Sequence, residues 1–260
     1  MIQQMGYFLE SFFANPSVLG IGLAIIFGAI WLACYWPPLF KKPWLWVVLA
    51  SSAILTLAAV TFIQIPLQIW NGRVLDNLWS QEVISRWLLL AGISGVLLNG
   101  LVQEGSKLVP VVVYWWRKSR NIDPKLGLAI GAVSGAGFGI FEAQWVNNVI
   151  LASGWSWEVV QANGVVALAG FWERYFVIGY HTASCALAGW GLAKGWGWQF
   201  YLLASFLHAF LNYSVLLVQS GLISGIQAEL FIAVWALLVT GGATWLRGRE
   251  PVSIAGGQET

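Results

Sequence analysis

A chain of 260 residues that is 58% hydrophobic and only 9% charged has too little polar surface to fold as a soluble domain. Its mean hydropathy of +0.73 and its long apolar runs call for an integral membrane protein with several spans. A net charge of +2, with basic residues spread over short loops, offers no basic patch for nucleic acid.

In chain order, Met1 to Pro16 has no positive leader region and carries Glu10, so a short interfacial helix or a frayed start is expected there, not a cleaved signal peptide. Apolar runs then predict about seven transmembrane helices, at 17–39, 44–68, 87–116, 125–151, 163–193, 198–222 and 226–247. Many of the 18 tryptophans fall at the ends of these runs, as in the aromatic belts of a bilayer. Cys34 and Cys185 lie inside apolar segments and imply neither a disulfide nor a metal site. Residues 1–249 read as a single all-α transmembrane domain, with a core site region at 87–222 and a disordered tail at 250–260.

Lys41, Lys42, Arg117, Lys118, Arg120, Lys125, Lys194, Arg247 and Arg249 fall on one side of this topology, against Arg73 and Arg86 on the other. The positive-inside rule then sets the N-terminus outside and the C-terminus in the cytoplasm. Counting ~1.5 Å per residue from the cytoplasmic ends puts Glu104 at ~20 Å, Glu142 at ~25 Å, His181 at ~18 Å, and His208 and Asn212 at ~15 and ~21 Å. Four successive helices thus carry their polar residues at one level, and both histidines of the chain are among them. A polar cavity between the third and sixth spans is the expected result.

The centre of this pattern is Gln103-Glu104-Gly-Ser-Lys107, where Glu104 and Lys107 share a helix face. An ionisable pair within a membrane span marks a working site by default, the competing reading being a buried pair that only fixes packing. Glycines 131, 135 and 139 form a stripe for close helix contact, and Glu142 continues it toward His181, His208 or Lys107. His208 and Asn212 also share a face, with an imidazole to move a proton and a carboxamide to polarise a carbonyl. Glu173 and Arg174 count as farther out, at ~29 Å for Arg174, where an interfacial ion pair competes with a supporting role. Gly92-Ile-Ser94-Gly95 is read as ordinary small-residue packing. Glu104, Glu142, His181 and His208 are ligand types that zinc accepts, so a metal is left open.

The segment from about 95 to 215 resembles the PrsW-type intramembrane proteases, within the superfamily of CAAX prenyl proteases and bacteriocin-processing enzymes. The likeness rests on Gln103-Glu104-Gly-Ser-Lys107, which resembles Glu-Glu-x-x-Lys, and on Gly137-Phe138-x-x-x-Glu142. It rests also on His181 ahead of a small-residue helix, and on Leu207-His208-x-x-x-Asn212. The resemblance implies a peptide-bond hydrolase whose substrate is a membrane protein in the lipid bilayer. Glu104, Glu142 and His181 would handle the water, His208 and Asn212 would hold the oxyanion, and Gln103, Lys107, Glu173 and Arg174 would support them. Two positions depart from the pattern: Gln103 replaces the first glutamate, and Ala143 follows Glu142 where the family tends to carry Asn. The alternatives are a catalytically impaired relative that binds membrane segments, and a small proton- or ion-coupled transporter.

Overall fold

The computed structural model describes residues 1–250, and no strand occurs among them. Its helices are α1 (Ile2–Phe13), α2 (Val18–Ala33), α3 (Trp44–Ala59), α4 (Ile65–Leu78), α5 (Gln81–Arg86), α6 (Leu88–Arg117), α7 (Pro124–Ala152), α8 (Trp157–Asn163), α9 (Ala169–Ala193), α10 (Gly197–Gln219) and α11 (Gly225–Arg249). Of the tail expected at 250–260, only Glu250 lies within the described residues.

Five helical segments are long and apolar enough to cross a membrane, or six if α1 and α2 are taken together as one broken span. Seven were expected from the sequence. The run at 163–193 accounts for one difference, because α9 is not among the five. Most of α9 is buried against other helices, from Phe171 to Gly191, so its surroundings are largely protein and it can carry Arg174 and His181.

The chain start forms a real helix. Phe8 and Phe12 of α1 pack on Phe141 and Trp145 of α7, while Gln3, Gln4 and Glu10 are exposed. Asn15, in the left-handed region at φ 51°, and Pro16 end α1, and α2 leaves at 89° to it. The second predicted span, 44–68, is longer than its apolar run suggested. α3 and α4 join into one segment, Trp44–Leu78, through a π-helical turn at Val60–Gln64. Pro66 lacks the N–H that an α-turn would offer to the Phe62 carbonyl, and a widened turn beside it is the ordinary response.

α7 and α9 are the central pair. A methyl group at Gly135 would lie 2.1 Å from the His181 carbonyl oxygen, and one at Gly131 would lie 2.2 Å from that of Cys185. Only glycine permits this approach, and it carries His181 up to the end of the stripe where Glu142 begins. α2 and α3 cover the far side of α7, while α10 and α11 pack on α9. α6 closes the bundle against α10, where Gly100 gives way to the Ser205 carbonyl.

Candidate active site

The polar residues of four helices meet in one connected network. On α6, Lys107 and Glu104 are completely buried, with Lys107 Nζ 2.5 Å from Glu104 Oε1. Lys107 Nζ also lies 2.9 Å from His181 Nδ1 on α9. An ammonium only donates, so His181 Nδ1 accepts, and the ring proton sits on Nε2. That Nε2–H donates to Glu142 Oε2 on α7 at 3.1 Å. The same oxygen accepts from Arg174 Nη1 at 3.2 Å, and Arg174 Nη2 reaches Glu173. Arg174 is therefore joined to Glu142 as well as to its neighbour, and is more than an interfacial pair.

Glu104 is surrounded by donors. Its Oε1 accepts from Lys107 and lies 2.8 Å from His208 Nδ1 on α10, and the Ser184 hydroxyl is 3.2 Å from both of its oxygens. With Glu104 as acceptor, the Nδ1–H of His208 donates and Nε2 is the ring's other functional atom. Phe138 lies under the lysine, its ring centre 4.7 Å from Nζ, and closes the network on the α7 side.

A cleft of about 70 Å³ lies beside this network, lined by Gln103, Glu142, Glu173, Arg174, His181, His208 and Asn212 among others. Glu104 and Lys107 do not line it; they stand behind the two histidines. Gln103 turns the other way from Glu104, donating from Nε2 to Gln64 Oε1 at 3.0 Å, while its own Oε1 is buried without a partner. Every site residue named from the sequence thus belongs to the network or lines the cleft. Sequence reasoning missed Ser184 and Gln64. Ser184 was within reach, three residues past His181 on a helix. Gln64 was not singled out: Pro66 marks a disturbed turn there, but not the direction in which that turn aims Gln64.

Residues 42–240 match the family described as PrsW family intramembrane metalloprotease. The chain belongs to the PrsW family. The match spans well over half of the chain and includes every residue of the network, from Gln64 to Asn212. No curated protein and no solved structure matches the chain. As a PrsW-family member with several membrane-crossing helices, it is a multi-pass membrane protein of an intramembrane protease family.

The family's description implies a metal. Glu104, His181 and His208 can bring one donor atom each within 4.8 Å of one another, and are of types that zinc accepts. The Lys107 ammonium, however, already lies in hydrogen-bond contact with two of these three residues, at Glu104 Oε1 and His181 Nδ1. It has no lone pair to give a metal, and its charge would repel a divalent ion at that distance. Glu142, the fourth candidate ligand, is not part of the group and is engaged by Arg174 and His181 instead. In this arrangement the site of the PrsW-family protein does not fit a metal ion, because an internal cation takes its place.

Proposed function

We propose that the protein is an endopeptidase of the cell membrane that hydrolyses a peptide bond of a membrane-embedded or membrane-adjacent protein, using Glu142 to activate water. The observation that supports this most directly is the makeup of the cleft, which is lined together by the Glu142 carboxylate, the His208 imidazole and the Asn212 carboxamide.

Glu142 Oε2 is held by Arg174 and His181, which leaves Oε1 to take a proton from water. As the water oxygen attacks the carbonyl carbon, negative charge develops on the carbonyl oxygen. Carrying a proton on both ring nitrogens, His208 donates from Nε2–H to that oxygen while Nδ1–H stays on Glu104, and the Asn212 amide donates beside it. The tetrahedral intermediate then collapses, the C–N bond breaks, and Glu142 returns its proton to the leaving nitrogen. Glu104 acts through His208 as a positioning residue: it fixes Nδ1–H and stabilises positive charge on the ring. Lys107 in turn neutralises Glu104 and fixes the tautomer of His181.

The test is cleavage of single-span peptides by the purified protein in liposomes. Glu142→Gln and His208→Ala each lower cleavage about 100-fold or more while the protein still inserts and folds. Retention of activity in Glu142→Gln refutes the assignment of the base. One observation favours a second reading: Gln103 lines the cleft where the resembling pattern has its first glutamate, and an amide takes no proton. Under that reading the protein binds membrane segments without cutting them, and Gln103→Glu switches cleavage on.

A further inference from the structure

Next to the cleft is a second, larger cavity of about 220 Å³, lined by residues of α1, α3, the π-turn, α4, α6 and α7. Two residues, Gln103 and Glu142, line both spaces, so the cavity continues directly from the reacting position. Its walls are mainly apolar, with the rings of Phe8, Phe12, Phe141 and Trp145 along one side and Leu57 and Val60 on another.

Two residues that line this cavity each carry a buried polar atom with no partner within the protein. One is Gln103 Oε1, on a side chain whose Nε2 is tied to Gln64 and which is only 7% exposed. The other is Trp145 Nε1. A buried acceptor and a buried donor are rarely left unpaired, and here they border an apolar space. A peptide residue with a large apolar side chain satisfies all three features: the side chain fills the cavity, its N–H reaches Gln103 Oε1, and a backbone carbonyl is available to Trp145.

We propose that this cavity is the specificity pocket for one residue beside the scissile bond, and that it takes an aromatic or large aliphatic side chain. Gln103 is then a positioning residue that accepts a backbone N–H of the substrate. This rests on the peptidase reading above for the place of the scissile bond, but the pocket's preference is a matter of binding and is measurable without catalysis. Phe8 and Phe12 come from α1, so the chain's first helix forms part of the pocket's wall.

The experiment uses the full-length protein in detergent micelles with dansylated single-span peptides that carry Phe, Leu, Ala or Gly at successive positions. Binding is read by fluorescence anisotropy and cleavage by mass spectrometry. Wild-type protein binds peptides with Phe or Leu at one position about 10-fold more tightly than those with Gly there, and any cut falls next to that position. Leu57→Trp, which fills the cavity, removes this preference while Gly peptides bind as before. Val60→Phe does the same from the π-turn, so the result does not depend on one variant folding. Gln103→Leu raises KM for the preferred peptide about 10-fold with kcat little changed, a split that general loss of structure does not produce. A preference untouched by both cavity-filling variants overturns the proposal. If the preference and its loss appear in binding but nothing is cut, the pocket stands and the peptidase reading falls.

Discussion

Lys107→Met tests whether the site is built around an internal cation. Lys107 and Glu104 are both completely buried and 2.5 Å apart, so the substitution leaves a buried carboxylate without its ammonium, held only by His208 and Ser184. Breaking such a pair costs ~3–5 kcal/mol, a large share of the ~5–15 kcal/mol that holds a typical domain together. The double variant Glu104→Gln/Lys107→Met removes both charges, yet keeps an oxygen to accept from Ser184 and His208. Its loss should be smaller than that of Lys107→Met alone, with a coupling of ~2 kcal/mol or more between the two positions. The measurement is denaturant unfolding of the purified protein in mixed micelles, run as a complete double-mutant cycle. Additive losses, or a cost under ~1 kcal/mol for Lys107→Met, refute the view that Lys107 is the resident cation of the site.

Chelation gives a related test: o-phenanthroline should leave cleavage by the wild-type protein unchanged, and its loss with recovery on adding zinc contradicts the role given to Lys107. Gly135→Ala introduces a methyl 2.1 Å from the His181 carbonyl, so α9 must move away from α7. A loss of ~1–3 kcal/mol in stability is expected, together with lower activity as His181 leaves Glu142, and normal stability refutes the packing account. Outside the membrane, Lys194 donates to Glu250 and holds that carboxyl below its ordinary pKa, with Trp190 Nε1 2.9 Å from the same group. A lowered folded pKa means the contact contributes fully above ~4.3 and fades as pH falls through the folded value. Amide protection factors at the end of α11, corrected for the intrinsic rate at each pH, should therefore fall in acid, and the Glu250→Gln variant should lose most of this response.

The sequence made some parts of this site readable because helices obey a short period. Glu104 and Lys107 three apart, His208 and Asn212 four apart, and the glycine stripe leading to Glu142 each fix a shared face without any tertiary information. Counting rise per residue also set the four helices' polar groups at one level. What the count lacks is azimuth around the bundle axis. It could not tell that Glu104 turns behind His208 while Gln103, its neighbour, turns to the cleft. Apolarity records contact with lipid or with protein alike, so the run at 163–193 was readable as a helix but not as one buried largely in protein. Gln64 was missed for a third reason: Pro66 signals a local change of helical pitch, but not which way the widened turn then directs the side chain.

The widened turn at Val60–Gln64 has a further consequence for how this protein tolerates change in length. A residue added to or dropped from an ordinary helix shifts all that follows by roughly 100° of rotation. Here the surplus residue is absorbed at one place, so deleting one residue between 60 and 64 would restore regular winding, leave Gln68 in phase, and change only what the turn itself presents beside Gln103. Chains of other lengths at this point would then present different side chains to the same chamber, and a single codon gained or lost could retune what it admits without altering any residue that faces the cleft.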